Sequence, residues 1–173
     1  MHSSSGFTLI EVLMALFVLA IGVVGASAAQ LSAQRTRQQA ALGSEAAMLA
    51  GALAARMQAN PQVAQLPDAS NPYLAFDYAA AGAAAPAGTV ACFGDAVCDP
   101  LALAAFDLHE MRLAMHGRFP GGRIAVCRDD APWEAARHRY RWDCSGGPEA
   151  PVTIKIGWHG SGDAPAHVLM VAL

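Results

Sequence analysis

Residue types able to do chemistry are few in this chain and unevenly placed. A lone carboxylate, Glu11, interrupts an otherwise uncharged run from Phe7 to Ala29. Four cysteines, Cys92, Cys98, Cys127 and Cys144, lie in the second half. Ser145, His138 and Asp143 could be put together as a hydrolytic triad, but no G-x-S-x-G nucleophile elbow accompanies them. Asp107 and Glu110 are one helical turn apart and read as a solvated face rather than a catalytic pair. A zinc site drawn from the cysteines with His109 and His116 has none of the usual ligand spacings, such as C-x-x-C. No glycine-rich phosphate loop is present. Catalytic, metal and cofactor chemistry are therefore not expected, and no small-molecule substrate is either.

Glu11 carries the most information. A charged side chain within a bilayer costs roughly 2.5–3.5 kcal/mol on insertion scales, so it needs a reason. Phe7 to Ala29, at about 1.5 Å per helical residue, covers the roughly 30 Å of a hydrocarbon core. A glutamate near the start of such a helix can snorkel to the interface and favours the positive end of the helix dipole. A secretory signal peptide is the competing reading, and Gly25-Ala26-Ser27-Ala28-Ala29 imitates its cleavage site. Such peptides have a shorter apolar region after a basic segment. Here the chain starts Met1-His2-Ser3-Ser4-Ser5-Gly6, with no Lys or Arg.

The string Gly6-Phe7-Thr8-Leu9-Ile10-Glu11-Val12-Leu13 resembles the class III signal of type IV pilins and pseudopilins. The resemblance implies cleavage between Gly6 and Phe7 by a membrane-embedded prepilin peptidase on the cytoplasmic side, and N-methylation of the new Phe7 amine. It also implies that the Glu11 carboxylate pairs with the N-terminal amine of a neighbouring subunit. In low dielectric such a pair is strong, and an unpaired charge is heavily penalised. Arg35 and Arg37 lie beyond the apolar run, and the positive-inside rule alone would place the C-terminal domain in the cytoplasm. The resemblance implies the reverse, and the cysteines agree with it, since disulfides belong to oxidising compartments.

These groups must be held by a recognisable set of elements. Gln30 to Ala59 has no proline and is rich in good helix formers. Leu42, Ala46, Leu49, Leu53 and Met57 fall on one face of a helix that Asn60-Pro61 should stop. The whole first helix would then be about 50 residues and 75–80 Å long. Gly22 and Gly25 are its weakest positions. Pro61 to Gly88 reads as an irregular loop over the head. Asp99-Pro100 looks like an N-cap with proline at the first helical position, opening a helix with Leu101, Ala104, Leu108, Met111 and Met115 on one face. Ile124 to Val126 is a short strand candidate. Val152, Ile154, Ile156 and Trp158 alternate with Thr153, Lys155 and Gly157 as a half-buried strand, and His167 to Leu173 reads as a last strand. The fold class is α+β: one long N-terminal helix, a second short helix and a small antiparallel sheet laid on the second half of the first.

Four cysteines allow three pairings. Local loops favour Cys92–Cys98 and Cys127–Cys144, each contributing roughly 2–3 kcal/mol on the chain-entropy model. A tight hairpin of residues 123–127 with 138–142 would set Cys127 opposite residue 139. A long loop from Arg128 to Asp143, clamped at its base, is preferred.

Net charge is −3, with no basic stripe to suit nucleic acid. The apolar fraction is 54% against 14% charged, a balance shifted towards membrane contact. Further along, Arg56-Met57-Gln58-Ala59-Asn60-Pro61, Cys98-Asp99-Pro100, Ala104-Ala105-Phe106-Asp107-Leu108, Pro120-Gly121-Gly122, Val126-Cys127 and Val152-Thr153-Ile154-Lys155-Ile156-Gly157-Trp158 are similar, in order, to minor pilins of the PilV type. That resemblance implies a subunit that primes pilus assembly with other minor and major pilins, with adhesion and twitching motility depending on it indirectly. The organisation it implies is a leader at 1–6, a transmembrane or filament-core half at 7–29, and a head at 30–173. The protein would first sit in the inner membrane with its head in the periplasm, then in the pilus. A minor pseudopilin of a type II secretion system shares the same N-terminal signal.

Overall fold

A computed structural model describes Gly6, residues 8–88 and residues 92–173 of the chain. By backbone proximity the chain divides into two compact units, Met1–Ala40 and Ala41–Leu173. One helix, α1 (Leu9–Ala59), supplies most of the first unit and continues into the second.

From Val12 to Ala29 α1 carries no charged residue and is apolar on every side. Its most apolar window has a mean hydropathy of 2.6 and none of it is buried, so the helix is long and apolar enough to cross a membrane. Leu9, Phe17 and Val24 are all more than half exposed. The hydroxyl of Ser27 donates to the Val23 carbonyl at 2.8 Å, so this polar group is satisfied inside the helix. Helix continues without a break through Gly22 and Gly25.

The second unit holds the core. Leu42, Ala46, Ala50, Leu53 and Met57 are the buried residues of α1. Leu49, expected on that face, is only partly buried, and Ala50 takes the inner position. Asn60 ends the helix and is itself buried, its side-chain amide donating to the Pro100 carbonyl at 2.7 Å. A short helix α2 (Pro61–Ala64) follows at once, with proline at its first turn.

Residues 61–88 are more ordered than the irregular loop expected. They carry α2, one turn of 3-10 helix at Asp68–Ser70 and an edge strand, β1 (Asp77–Ala79). Val63, Tyr73 and Phe76 from this stretch are core residues. Anchors buried without helical or strand spacing leave no periodic signal.

Helix α3 (Pro100–Arg118) starts as the sequence leads one to expect: the Asp99 carboxylate accepts from the Ala102 amide at 2.8 Å. Ala104, Leu108, Met111 and Met115 point into the core, whereas Leu101 is 56% exposed. The main sheet also contains β2 (Arg123–Arg128), β5 (Val152–Gly157) and β6 (His167–Val171), in the order β1-β2-β5-β6, antiparallel throughout. Ile124 faces Ile156 and Val126 faces Ile154 across β2 and β5, and these residues join the α1 and α3 stripes in one core. Between β2 and β5 a two-residue-strand hairpin forms, β3 (Trp133–Glu134) with β4 (Arg139–Tyr140). The alternative hairpin of 123–127 with 138–142 does not form, because β5 and β1 occupy both edges of β2.

The reading of β5 as half-buried needs correction, since all six of its residues are buried. Its second face is covered by the 129–150 segment. A Cβ added at Gly157 would stand 2.9 Å from the Trp142 ring, so glycine is what lets that indole lie against the strand.

Candidate functional site

The N-terminal segment is built around Glu11. Phe7 and Met1–Ser5 lie outside the described residues, so the proposed cut between Gly6 and Phe7 and the methylated amine have no geometry here. Gly6 is exposed. Thr8 immediately precedes the first residue of α1, and Glu11 is in its first turn. The Thr8 amide donates to Glu11 Oε2 at 3.2 Å, the Thr8 hydroxyl lies 3.2 Å from the same oxygen, and the Glu11 amide points at the Thr8 hydroxyl at 3.4 Å. This is a capping box: side chain and backbone of the two residues satisfy each other's otherwise orphaned donors. The carboxylate therefore has a local function besides any intermolecular one. Among the described residues Oε1 accepts no hydrogen bond, and the group is exposed at the electropositive end of a long helix. An anionic oxygen so placed can receive a cation or a further donor. Thr8 was not singled out from the sequence, although T-x-x-E before an apolar run is a readable signal.

Cys92 is bonded to Cys98, with Cα atoms 5.7 Å apart, and Cys127 to Cys144 at 6.2 Å. The second bond closes the base of the segment bearing β3 and β4. Among the described residues no cysteine is free and no group of three or more His, Cys, Asp or Glu is placed to hold a metal ion.

Of the would-be triad, Ser145 is held by other side chains. Ser145 donates its hydroxyl to Asp129 Oδ1 at 2.9 Å and accepts from the Arg141 guanidinium. His138 occupies a left-handed backbone position, φ 49°, in the β3–β4 turn. Asp107, expected on a solvated face, is instead buried. It accepts from Arg56 Nη1 at 3.1 Å and from the Tyr73 hydroxyl at 2.9 Å. Burial, and then the donated bond to Asp107, push the Tyr73 hydroxyl well above its ordinary pKa. His116 Nδ1 lies 3.1 Å from the Tyr78 hydroxyl, and Glu110 is half-buried.

A second charged cluster has no counterpart among the sequence expectations. Lys155 and Asp129 are fully buried, and the ammonium contacts Asp129 Oδ2 at 2.5 Å, the Asp143 carbonyl at 2.8 Å and the Trp142 carbonyl at 3.3 Å. Lysine has three donors, and each finds an acceptor. Burial alone would raise the Asp129 carboxyl, but bonds from Lys155, the Ala131 amide and Ser145 together hold it below the ordinary carboxylate range. The pair fastens the covering segment to β5. With the donors of Lys155 and the carboxylate of Asp129 all matched, the pair holds the segment in place.

Residues 1–27 match the family model described as the prokaryotic N-terminal methylation motif. Neither the curated proteins nor the solved structures include a match to the chain. The motif, together with a long apolar N-terminal helix and an α+β head, supports a type IV pilin-like or pseudopilin precursor, a structural subunit rather than an enzyme.

Proposed function

We propose that the chain is a minor pilin precursor of the PilV type, cut between Gly6 and Phe7 by a prepilin peptidase and methylated on the Phe7 amine. The observation that carries the prepilin part of this reading is the methylation motif over residues 1–27, at the head of an exposed apolar helix with a single carboxylate in its first turn, while the PilV part rests on the ordered resemblance of the head segments. Before the cut, residues 1–6 are a cytoplasmic leader, 7–29 span the inner membrane, and 30–173 form a periplasmic head. After it, the 7–29 half leaves lipid for the filament core, where it packs among other minor and major pilins.

Glu11 is the residue assigned to assembly. An incoming subunit meets a new Phe7 amine on a neighbour, and the exposed carboxylate accepts that ammonium while its Oε2 still caps the helix through Thr8. Charge complementarity in a medium without water is what makes the pairing selective. The two disulfides fit a head exported to an oxidising compartment. Priming of assembly is the resulting role, with twitching and adhesion as its consequences.

A pseudopilin of a type II secretion system is the second reading, favoured by the same motif, which both groups carry. Deleting the gene and scoring surface pili against secreted protein separates the two. Loss of pili with secretion intact supports the pilus reading. Loss of secretion with pili intact supports the other.

A further inference from the structure

We propose that a polar collar on α1, residues 30–38, docks on the phosphates of anionic lipid headgroups through Arg35 and Arg37. The collar lies wholly in the Met1–Ala40 unit, and assigning it to lipid rests on the proposed membrane-spanning role of α1. Neither arginine has a part in N-terminal processing or in the pairing assigned to Glu11.

Composition changes abruptly along α1 at Gln30. Residues 12–29 carry no charge, whereas between Gln30 and Gln38 only Leu31 and Ala33 are apolar. Arg35 and Arg37 are both exposed, and among the described residues neither has a hydrogen bond or an ion pair. Every other arginine of the chain is engaged by a carboxylate, except Arg112, which lies over the Phe76 ring at 5.1 Å. The two without a partner are the two that follow the apolar run. Thr36, between them, needs nothing from outside, since its hydroxyl donates to the Ser32 carbonyl at 3.1 Å.

Depth selects the partner. From Val12 to Ala29 the helix rises roughly 27 Å, close to the thickness of a hydrocarbon core. Arg35 and Arg37 follow about 9 and 12 Å beyond Ala29, at the outer edge of a headgroup layer roughly 5–7 Å deep. Side chains of a helix slant towards its N-terminus, which here is towards the bilayer, and long arginine stems reach further the same way. A guanidinium suits phosphate, which it can grip with two parallel hydrogen bonds. Two positions apart on a helix, the guanidiniums point to nearly opposite sides, about 200° around the axis. One acidic neighbour reaches one of them, whereas a lipid leaflet surrounds the helix and reaches both. Gln30, Gln34 and Gln38, four residues apart, add a stripe of amide donors at the same level. With the head exported, both charges stand on the side that the positive-inside bias disfavours, so that bias does not account for them. The grip sets the depth of α1 in the leaflet on the head side and is given up when the helix leaves for a filament.

The test uses full-length protein in micelles of an amine-oxide detergent, with native mass spectrometry counting the lipid that stays bound. Dioleoylphosphatidylglycerol and dioleoylphosphatidylcholine are titrated separately, each with and without inorganic phosphate. The expected result is that phosphatidylglycerol is held about fivefold or more tighter than phosphatidylcholine, and that inorganic phosphate does not displace it. Arg35→Gln and Arg37→Gln should each weaken that binding about fivefold, and the double variant should lose the preference. Arg35→Lys/Arg37→Lys, which keeps both charges, should retain a preference. Arg118→Gln, on a head arginine 65% exposed and paired with Glu45, should change nothing. Parent and double variant should float alike with vesicles of about three parts phosphatidylcholine to one part phosphatidylglycerol, because the apolar run is untouched. Equal retention of the two lipids overturns the inference. So does a preference that the double variant keeps, or displacement by inorganic phosphate, which marks a site for the free ion. Loss of the double variant from sheared pili with its lipid preference unchanged also overturns it, and assigns the arginines to carboxylates of a neighbouring subunit. Protein that floats without a lipid preference overturns the inference and leaves the prepilin reading intact, since failure of that reading shows in the position of the N-terminal cut.

Discussion

The helix-capping role of Glu11 and the assembly role proposed for it can be separated by substitution. Locally it caps α1 through Thr8, with contacts of 3.2 Å from both the Thr8 amide and hydroxyl. In the assembled state it is assigned a neighbour's amine. Losing a cap costs about 1 kcal/mol. Leaving a buried charge without its partner costs about 3–5 kcal/mol, or roughly two to three and a half decades in an equilibrium. Glu11→Gln retains the capping box, which accepts Gln as well as Glu at this position, and removes only the charge. Thr8→Val does the converse, removing the hydroxyl and keeping the carboxylate. Glu11→Ala removes both. The assay is the amount of this protein in sheared pili relative to the membrane fraction, with membrane insertion and N-terminal cleavage checked for every variant. Insertion should survive in all, since each change makes the segment no less apolar. Incorporation should fall by about a hundredfold or more for Glu11→Gln and Glu11→Ala, but by no more than about tenfold for Thr8→Val. If Glu11→Gln enters pili as the parent does while Thr8→Val fails, the carboxylate is a helix cap and the charge-pairing argument is wrong.

Three further outcomes concern the head. Asp129→Asn leaves Lys155 buried without its counter-ion and should lower unfolding free energy by about 3–5 kcal/mol in urea titrations followed by tryptophan fluorescence. A companion Asp129→Leu/Lys155→Met variant should recover most of that loss. Because the folded Asp129 carboxyl is depressed, the stability it contributes is complete above the ordinary carboxylate range and is lost as pH falls through the folded value, so Asp129→Asn should flatten the acid limb of a stability-versus-pH curve. Removing the 17-residue closure with Cys127→Ser/Cys144→Ser should cost about 3 kcal/mol, and mass spectrometry of unreduced peptides from exported parent protein should show both local pairs. Leu53→Ala, at a fully buried site, should cost about 2–5 kcal/mol, read as a shift of the urea midpoint without change of slope.

How far the fold was legible depended on whether burial left a period. Leu42, Ala46, Leu53 and Met57 repeat at helical spacing and are buried together. Asp99-Pro100 announced α3 because capping is a local chemistry of adjacent residues. Tyr73 and Phe76 were missed because an irregular segment can bury aromatics at any spacing. Lys155 looked like the polar half of an alternating strand, and only the covering segment, clamped by Cys127–Cys144, makes its position interior. Its partner Asp129 is 26 residues away, and Asp107 is 51 from Arg56, so neither pair has a sequence signature. The site at Glu11 was legible for a different reason. A charge in an apolar run is conspicuous, whereas its partner Thr8 is a small polar residue that draws notice only through the T-x-x-E spacing.

The central claim is that this chain is processed as a prepilin, and the mature N-terminus tests it most directly. Protein extracted from membranes of cells with an active prepilin peptidase should begin at Phe7 and carry one methyl group on its amine, and peptidase-deficient cells should retain the Met1 form. A mature chain beginning near Ala29 or Gln30 would instead show an ordinary signal peptide, with no apolar helix left to enter a filament.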